Sequence, residues 1–139
     1  MSIGPVEDLL AIRELVETFA VGIMRKDIAV WGSTWAEDCT WNVPLKEEPV
    51  VGKSSIIAVL QEVLTRNNFV SINSFPTETV IEGDKARGKA YCQELIFPKA
   101  GGQRILVGCF SDEYVKSDGR WHFLSRTYES LWRAAMPDA

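Results

Sequence analysis

Phe110-Ser111-Asp112-Glu113-Tyr114-Val115-Lys116-Ser117-Asp118-Gly119-Arg120-Trp121 reads as the end of one strand, a tight turn and the start of another. The turn residues Ser117-Asp118-Gly119 divide a strand over Gln103 to Lys116 from a partner over Arg120 to Leu131. Working back, Ala100-Gly101-Gly102 is another turn, and Lys85 to Phe97 is the strand before it. Within it Ala86, Gly88, Ala90 and Cys92 alternate with Arg87, Lys89, Tyr91 and Gln93, which gives one small face and one polar face. Glu82-Gly83-Asp84 turns back into Phe69 to Ile81, where Pro76 marks a bulge or an edge position.

The front of the chain is helical. From Pro5 onward Leu9, Ile12, Val16, Phe19 and Ile23 recur at helical spacing, with Glu7, Asp8, Arg13, Glu14 and Glu17 on the other face. Asp27 is placed to cap a second helix, Ile28 to Trp35. Cys39-Thr40-Trp41-Asn42-Val43 is β-like and ends at Pro44. A third helix, capped by Ser54 or Ser55, runs through Leu64 with Ile56, Val59, Leu60, Val63 and Leu64 as its apolar stripe. Helices first and then a long antiparallel meander predict an α+β fold, its helices on one face of a tightly curled sheet. No repeat or linker interrupts it, so residues 1–139 read as a single domain.

Fifteen Lys and Arg against nineteen Asp and Glu give a net charge of −4, which lacks the basic footprint of a nucleic-acid binder. No apolar run reaches the roughly 20 residues of a membrane span, and Met1 to Pro5 has no leader pattern. Cys39, Cys92 and Cys109 are odd in number and widely spaced, and His122 is the single imidazole. A metal site is therefore not expected, and three reduced thiols point to the cytoplasm.

The stretches Asp27…Trp31…Trp35-Ala36-Glu37-Asp38-Cys39-Thr40-Trp41, Val51-Gly52-Lys53-Ser54-Ser55-Ile56, Ile81-Glu82-Gly83-Asp84-Lys85-Ala86 and Phe110 to Trp121 follow one another in a telling order. Over about Asp8 to Trp132 the chain resembles the SnoaL-like branch of the NTF2-like superfamily. That resemblance implies a cone of curved, mainly antiparallel sheet with three helices, open at one end around an apolar pocket. It also implies a homodimer or homotrimer packed through the outer sheet face, and no cofactor. The dehydratase and dehydrochlorinase members use a His–Asp pair, the Asp near the end of helix one. In the matching stretch Phe19-Ala20-Val21-Gly22-Ile23-Met24 the carboxylate position falls on Met24, and Val70-Ser71-Ile72-Asn73 offers no His. The dyad does not carry over.

Other groups must then do any chemistry. Asp112 shares strand parity with Leu106, Gly108 and Phe110, and Glu94 shares that of Ala90 and Cys92. Each is a candidate general base if its parity faces the cone, and a strand-end salt bridge or solvated acid otherwise. Arg126 matches an Arg that reaches the pocket of the dehydrochlorinase. It either stabilises a leaving halide, an enolate or a substrate carboxylate, or it pairs with Asp112, Glu94 or Glu129. Phe19, Ile23, Met24, Trp41, Val43, Phe110 and Tyr128 are the expected wall for a small apolar or aromatic ligand, and equally suit a plain core. Tyr91 and Leu95 take the opposite parity and suit a subunit interface. His122 is read as an exposed or packed side chain of the last hairpin. The expected function is a cofactor-independent lyase, isomerase or hydrolase acting on a cyclic or aromatic molecule. A non-catalytic ligand-binding or assembly subunit is the alternative.

Overall fold

A computed structural model describes residues 1–137. Helix α1, Val6–Met24, starts behind Pro5 with Glu7 and Asp8 in its first turn and buries Ile12, Val16, Phe19 and Ile23. The acids meet the positive end of the helix dipole. Helix α2, Ile28–Gly32, is capped as expected: the Asp27 carboxylate accepts the Val30 amide at 3.1 Å. It stops earlier than the expected Trp35. Ser33 and Thr34 hydroxyls donate back to the Val30 and Trp31 carbonyls at 2.6 Å each, and Trp35 is already paired with Phe123 in strand β1, Trp35–Asn42. Gly22 lets the two helices meet, because a Cβ there would lie 2.8 Å from Trp31 Cβ.

Strand β2, Val50–Val51, leads through Gly52 to helix α3, Lys53–Arg66. The expected serine cap is not formed. Gly52 itself occupies the N-cap at φ +92°, a conformation costly for an L side chain, and no side chain caps the first turn. The helix also runs two residues beyond Leu64, and Asn67 Nδ2 donates to the Val63 carbonyl at 2.7 Å where it ends.

The rest is the meander: β3, Asn67–Glu82, β4, Lys85–Pro98, β5, Arg104–Ser117, and β6, Arg120–Ala135. The six-stranded sheet has the order β2-β1-β6-β5-β4-β3, antiparallel throughout except where β1 runs parallel to β6. Pro76 lies on the edge strand β3 and pairs with Ala90, while the register break falls just after it, between Thr77 and Val80, with Glu78 at φ +52°. Small residues on the concave face let the sheet curl: a Cβ on Gly88 would sit 3.0 Å from Thr79 Cα. The helices cover that face, and Phe19, Trp31, Trp35, Trp41, Phe110 and Phe123 fill the centre of one continuous core. No helix among the described residues is long and apolar enough to cross a membrane.

Candidate functional site

Strand register places the chemistry. Cross-strand partners share a face, so Arg126 on β6 stands beside Trp41 on β1 and Asp112 on β5, with Gly88 next on β4. One step along, Tyr128, Phe110 and Ala90 form the next row, and beyond it Leu106, Glu94 and Ile72 form another. All three rows face the helices. The parity argument for Asp112 and Glu94 therefore leads both carboxylates inward.

Their surroundings differ sharply. Asp112 and Arg126 are 2% and 1% exposed and form a two-pronged pair, Nε to Oδ1 at 2.8 Å and Nη2 to Oδ2 at 3.1 Å. Tyr114 Oη donates to the same carboxylate at 3.2 Å. The rings of Phe19, Phe110 and Phe123 lie 4.5, 4.0 and 4.1 Å from the guanidinium carbon. Such rings attract a cation while excluding water. Burial pushes the Asp112 carboxyl up and Arg126 pulls it down. Neither Glu94 nor Glu129 completes an ion pair with Arg126, which resolves the three partners open to it in the sequence.

Glu94 is partly buried and engages in none of the ion pairs among the described residues. Burial raises its carboxyl to about 7 against an opposing pull from Arg126. Cys92, two residues back on the same face, is pushed up to about 12 by burial and then by the charge of Glu94, so it stays a thiol. Burial and the neighbouring Glu94 and Cys92 likewise raise Tyr128, whose ring packs directly over Gly108. Tyr128 also lines an open hollow of about 280 Å³ together with Asn42, Val43, Pro44 and the charged loop Lys46-Glu47-Glu48-Pro49. Glu94 and Cys92 are thus the titratable neighbours whose charge acts on Tyr128.

The other wall candidates take two positions. Phe19, Ile23, Trp41 and Phe110 are buried in the core, and Met24, Val43 and Tyr128 pack partly buried at its margin. Met24 Sδ accepts a weak hydrogen bond from Ser71 Oγ at 3.9 Å. The two segments in which the resemblance seeks an Asp and a His are therefore in contact, through a thioether and a hydroxyl that cannot carry a proton at neutral pH. Cys109 pairs with Tyr91 on the outer face, away from Glu94. His122 is partly exposed beside Val115, and burial lowers its pKa. Sequence reading passed over Tyr114 and Phe123 as site residues. Tyr114 was findable, being two residues from Asp112 and so on its face. Among the described residues no three His, Cys, Asp or Glu side chains are grouped to hold a metal.

The SnoaL-like domain family matches residues 5–127. The chain belongs to that family. No curated protein matches it significantly. Among solved structures it is similar to a protein provisionally assigned as an aromatic ring hydroxylase, from Novosphingobium aromaticivorans, at 22% identity, 96% of each chain and a TM-score of 0.84. It is also similar to a hexachlorocyclohexane dehydrochlorinase of type 2, at 16% identity over 96% of this chain and 92% of that one, with a TM-score of 0.83. A protein provisionally assigned as a scytalone dehydratase, from Novosphingobium aromaticivorans, follows at 16% identity, 96% and 91% coverage and a TM-score of 0.82. At these identities the likeness establishes the NTF2-like fold.

Proposed function

We propose that this SnoaL-like protein is a cofactor-independent lyase or isomerase in which Glu94 moves a proton on a cyclic or aromatic small molecule. One observation carries the reading: Glu94 is an inward carboxyl with no ion-pair partner among the described residues, close enough to act on Tyr128, and held at about 7. A base that titrates near working pH takes and returns protons efficiently. Asp112 does not compete for this role, because Arg126 engages both its oxygens. The Glu94 carboxylate takes a ring C–H proton. The freed electron pair forms a C=C bond as a neighbouring leaving group departs with its bonding electrons, or passes to an adjacent carbonyl oxygen. The similarity to a dehydrochlorinase and to a provisional dehydratase supports a chemistry of this class.

The test is proton NMR in D₂O with a panel of cyclic ketones, cyclic alcohols and chlorinated cyclohexanes. The wild-type chain is expected to exchange or eliminate on at least one of them, and Glu94→Gln to lose about a hundredfold or more of that rate. No turnover across the panel, or turnover indifferent to Glu94→Gln, overturns the reading.

The second reading, a non-catalytic binding or assembly subunit, is favoured by the fully paired Arg126 and by Met24 and Ser71 in the two dyad segments. Both readings place the chain in a homo-oligomer joined through the outer sheet face, where Phe75 stacks on Tyr91 and Trp132 is exposed. Three buried free thiols suit a reducing compartment such as the cytoplasm.

A further inference from the structure

A hollow of about 720 Å³, larger than the one beside Tyr128, lies between the loop that joins β1 to β2 and one face of helix α3. Ser55, Ala58, Val59 and Glu62 recur at helical spacing and line it from α3, whereas Ile56 and Leu60 of the same helix are buried in the core. Leu45, Val50 and Val51 line it from the other side. Leu45 and Val51 are apolar, yet 59% and 65% exposed. The volume is that of a small-molecule site. No aromatic ring lines it, and neither Glu94 nor Tyr128 borders it.

The charges around it are unbalanced. Glu47, Glu48 and Glu62 line the hollow with a single cation, Lys46, whose Nζ stands 3.2 Å from Glu62 Oε2. Glu47 and Glu48 engage in none of the ion pairs among the described residues. The Lys46–Glu62 bridge is solvated, its side chains 39% and 48% exposed, so it ties the loop to the helix only weakly. The same loop, Lys46 to Pro49, bounds the hollow beside Tyr128 as well, which leaves it free space on both sides.

We infer that this hollow binds a primary ammonium carried on a short alkyl chain. The site is separate from Glu94 and does not depend on the proton-transfer reading. The alkyl chain rests on Leu45, Val50, Val51 and Ala58, and removes apolar surface from water. The ammonium brings three N–H donors to carboxylates that have too few cations of their own. A quaternary ammonium has no donors and is held elsewhere by aromatic cages, which this hollow lacks. Lys46 is the resident competitor, because the guest contends with it for Glu62.

The probe is hexylamine, titrated into the full chain at neutral pH, with hexanol and hexyltrimethylammonium as matched controls. Carbon-13 methyl NMR follows Leu45, Val50, Val51 and Ala58 at the hollow, and Val70 and Ile72 in the core as references. Hexylamine is expected to move the four methyl-bearing residues at the hollow and leave the references still. It is expected to bind about tenfold more tightly than either control, and to weaken as salt is added. Glu47→Gln with Glu48→Gln is expected to remove most of that preference while hexanol binds as before. Lys46→Ala is expected to tighten hexylamine by about two- to fivefold, a change opposite in sign to simple damage to the loop. Glu47, Glu48 and Lys46 are exposed, and the wild-type comparison of the three probes stands even if a variant misfolds. Equal binding of the three probes overturns the inference. So does hexylamine binding that ignores the glutamate double variant, or that moves the core references instead of the hollow.

Discussion

The phenol ring of Tyr128 occupies the space that a side chain on Gly108 would need. The two residues sit on adjacent strands, and Tyr128 packs there between the core ring of Phe110 and the hollow it lines with Asn42 and Val43.

Gly108→Val is expected to expel that ring or strain β5 against β6, at about 1–3 kcal/mol of stability. Thermal melting checks it, with Gly119→Ala, a turn position with open space around it, as a comparison for backbone strain alone. An unchanged melting temperature for Gly108→Val would mean that Tyr128 does not rest there in solution.

Arg126 and Asp112 behave as a unit. Arg126→Ala leaves the buried Asp112 carboxylate with no counter-charge and only the Tyr114 hydroxyl as a partner, and the expected loss is about 3–5 kcal/mol in urea unfolding. The double variant Arg126→Met with Asp112→Leu removes both charges and is expected to regain most of it. Arg126→Lys is expected to fail as well, because an ammonium cannot reproduce the two-pronged contact.

Glu94 gives stability a pH dependence of defined sign. Its folded carboxyl titrates at about 7, whereas an unfolded chain has about 4.3. The folded state holds the proton more tightly, so this contribution is present in full below pH 4.3 and is lost as pH rises through 7. Between pH 5 and 8 the unfolding free energy is expected to fall by up to about 2.5 kcal/mol on this account. Glu94→Gln flattens that slope. A wild type whose stability rises over the same window, with no difference from Glu94→Gln, would contradict it.

The outer sheet face supplies the oligomer prediction. Phe75 and Trp132 are 55% and 58% exposed, and Tyr91, Leu95 and Val107 lie between their strands on the same surface. Exposed apolar area of this kind marks an interface. Light scattering is expected to give a dimer or trimer for wild type and a monomer for Trp132→Glu with Phe75→Glu. A monomeric wild type would remove this part of the account.

The fold was legible because period-two alternation and Gly-centred turns are local signals, as at Asp118-Gly119 and Glu82-Gly83. Element ends were less so. Helix α2 closes at Gly32 because Ser33 and Thr34 bond backward and Trp35 joins β6, and that pairing with Phe123 is eighty-eight residues away. The site was legible in parity but not in partnership. Alternation leads Asp112 and Glu94 to the same face. Only the register of β6 decides that Arg126 meets Asp112 and leaves Glu94 unpaired.

The most direct measurement is a carbon-13 NMR titration of the glutamate side-chain carboxyls in the intact chain, with Glu94 assigned by its absence in Glu94→Gln. A midpoint near 7 for Glu94 is the expected result and leaves the chain with an unpaired proton carrier on the inward face of its sheet. A midpoint at or below about 4.3, the ordinary carboxylate value, would contradict the proposed chemistry at its centre.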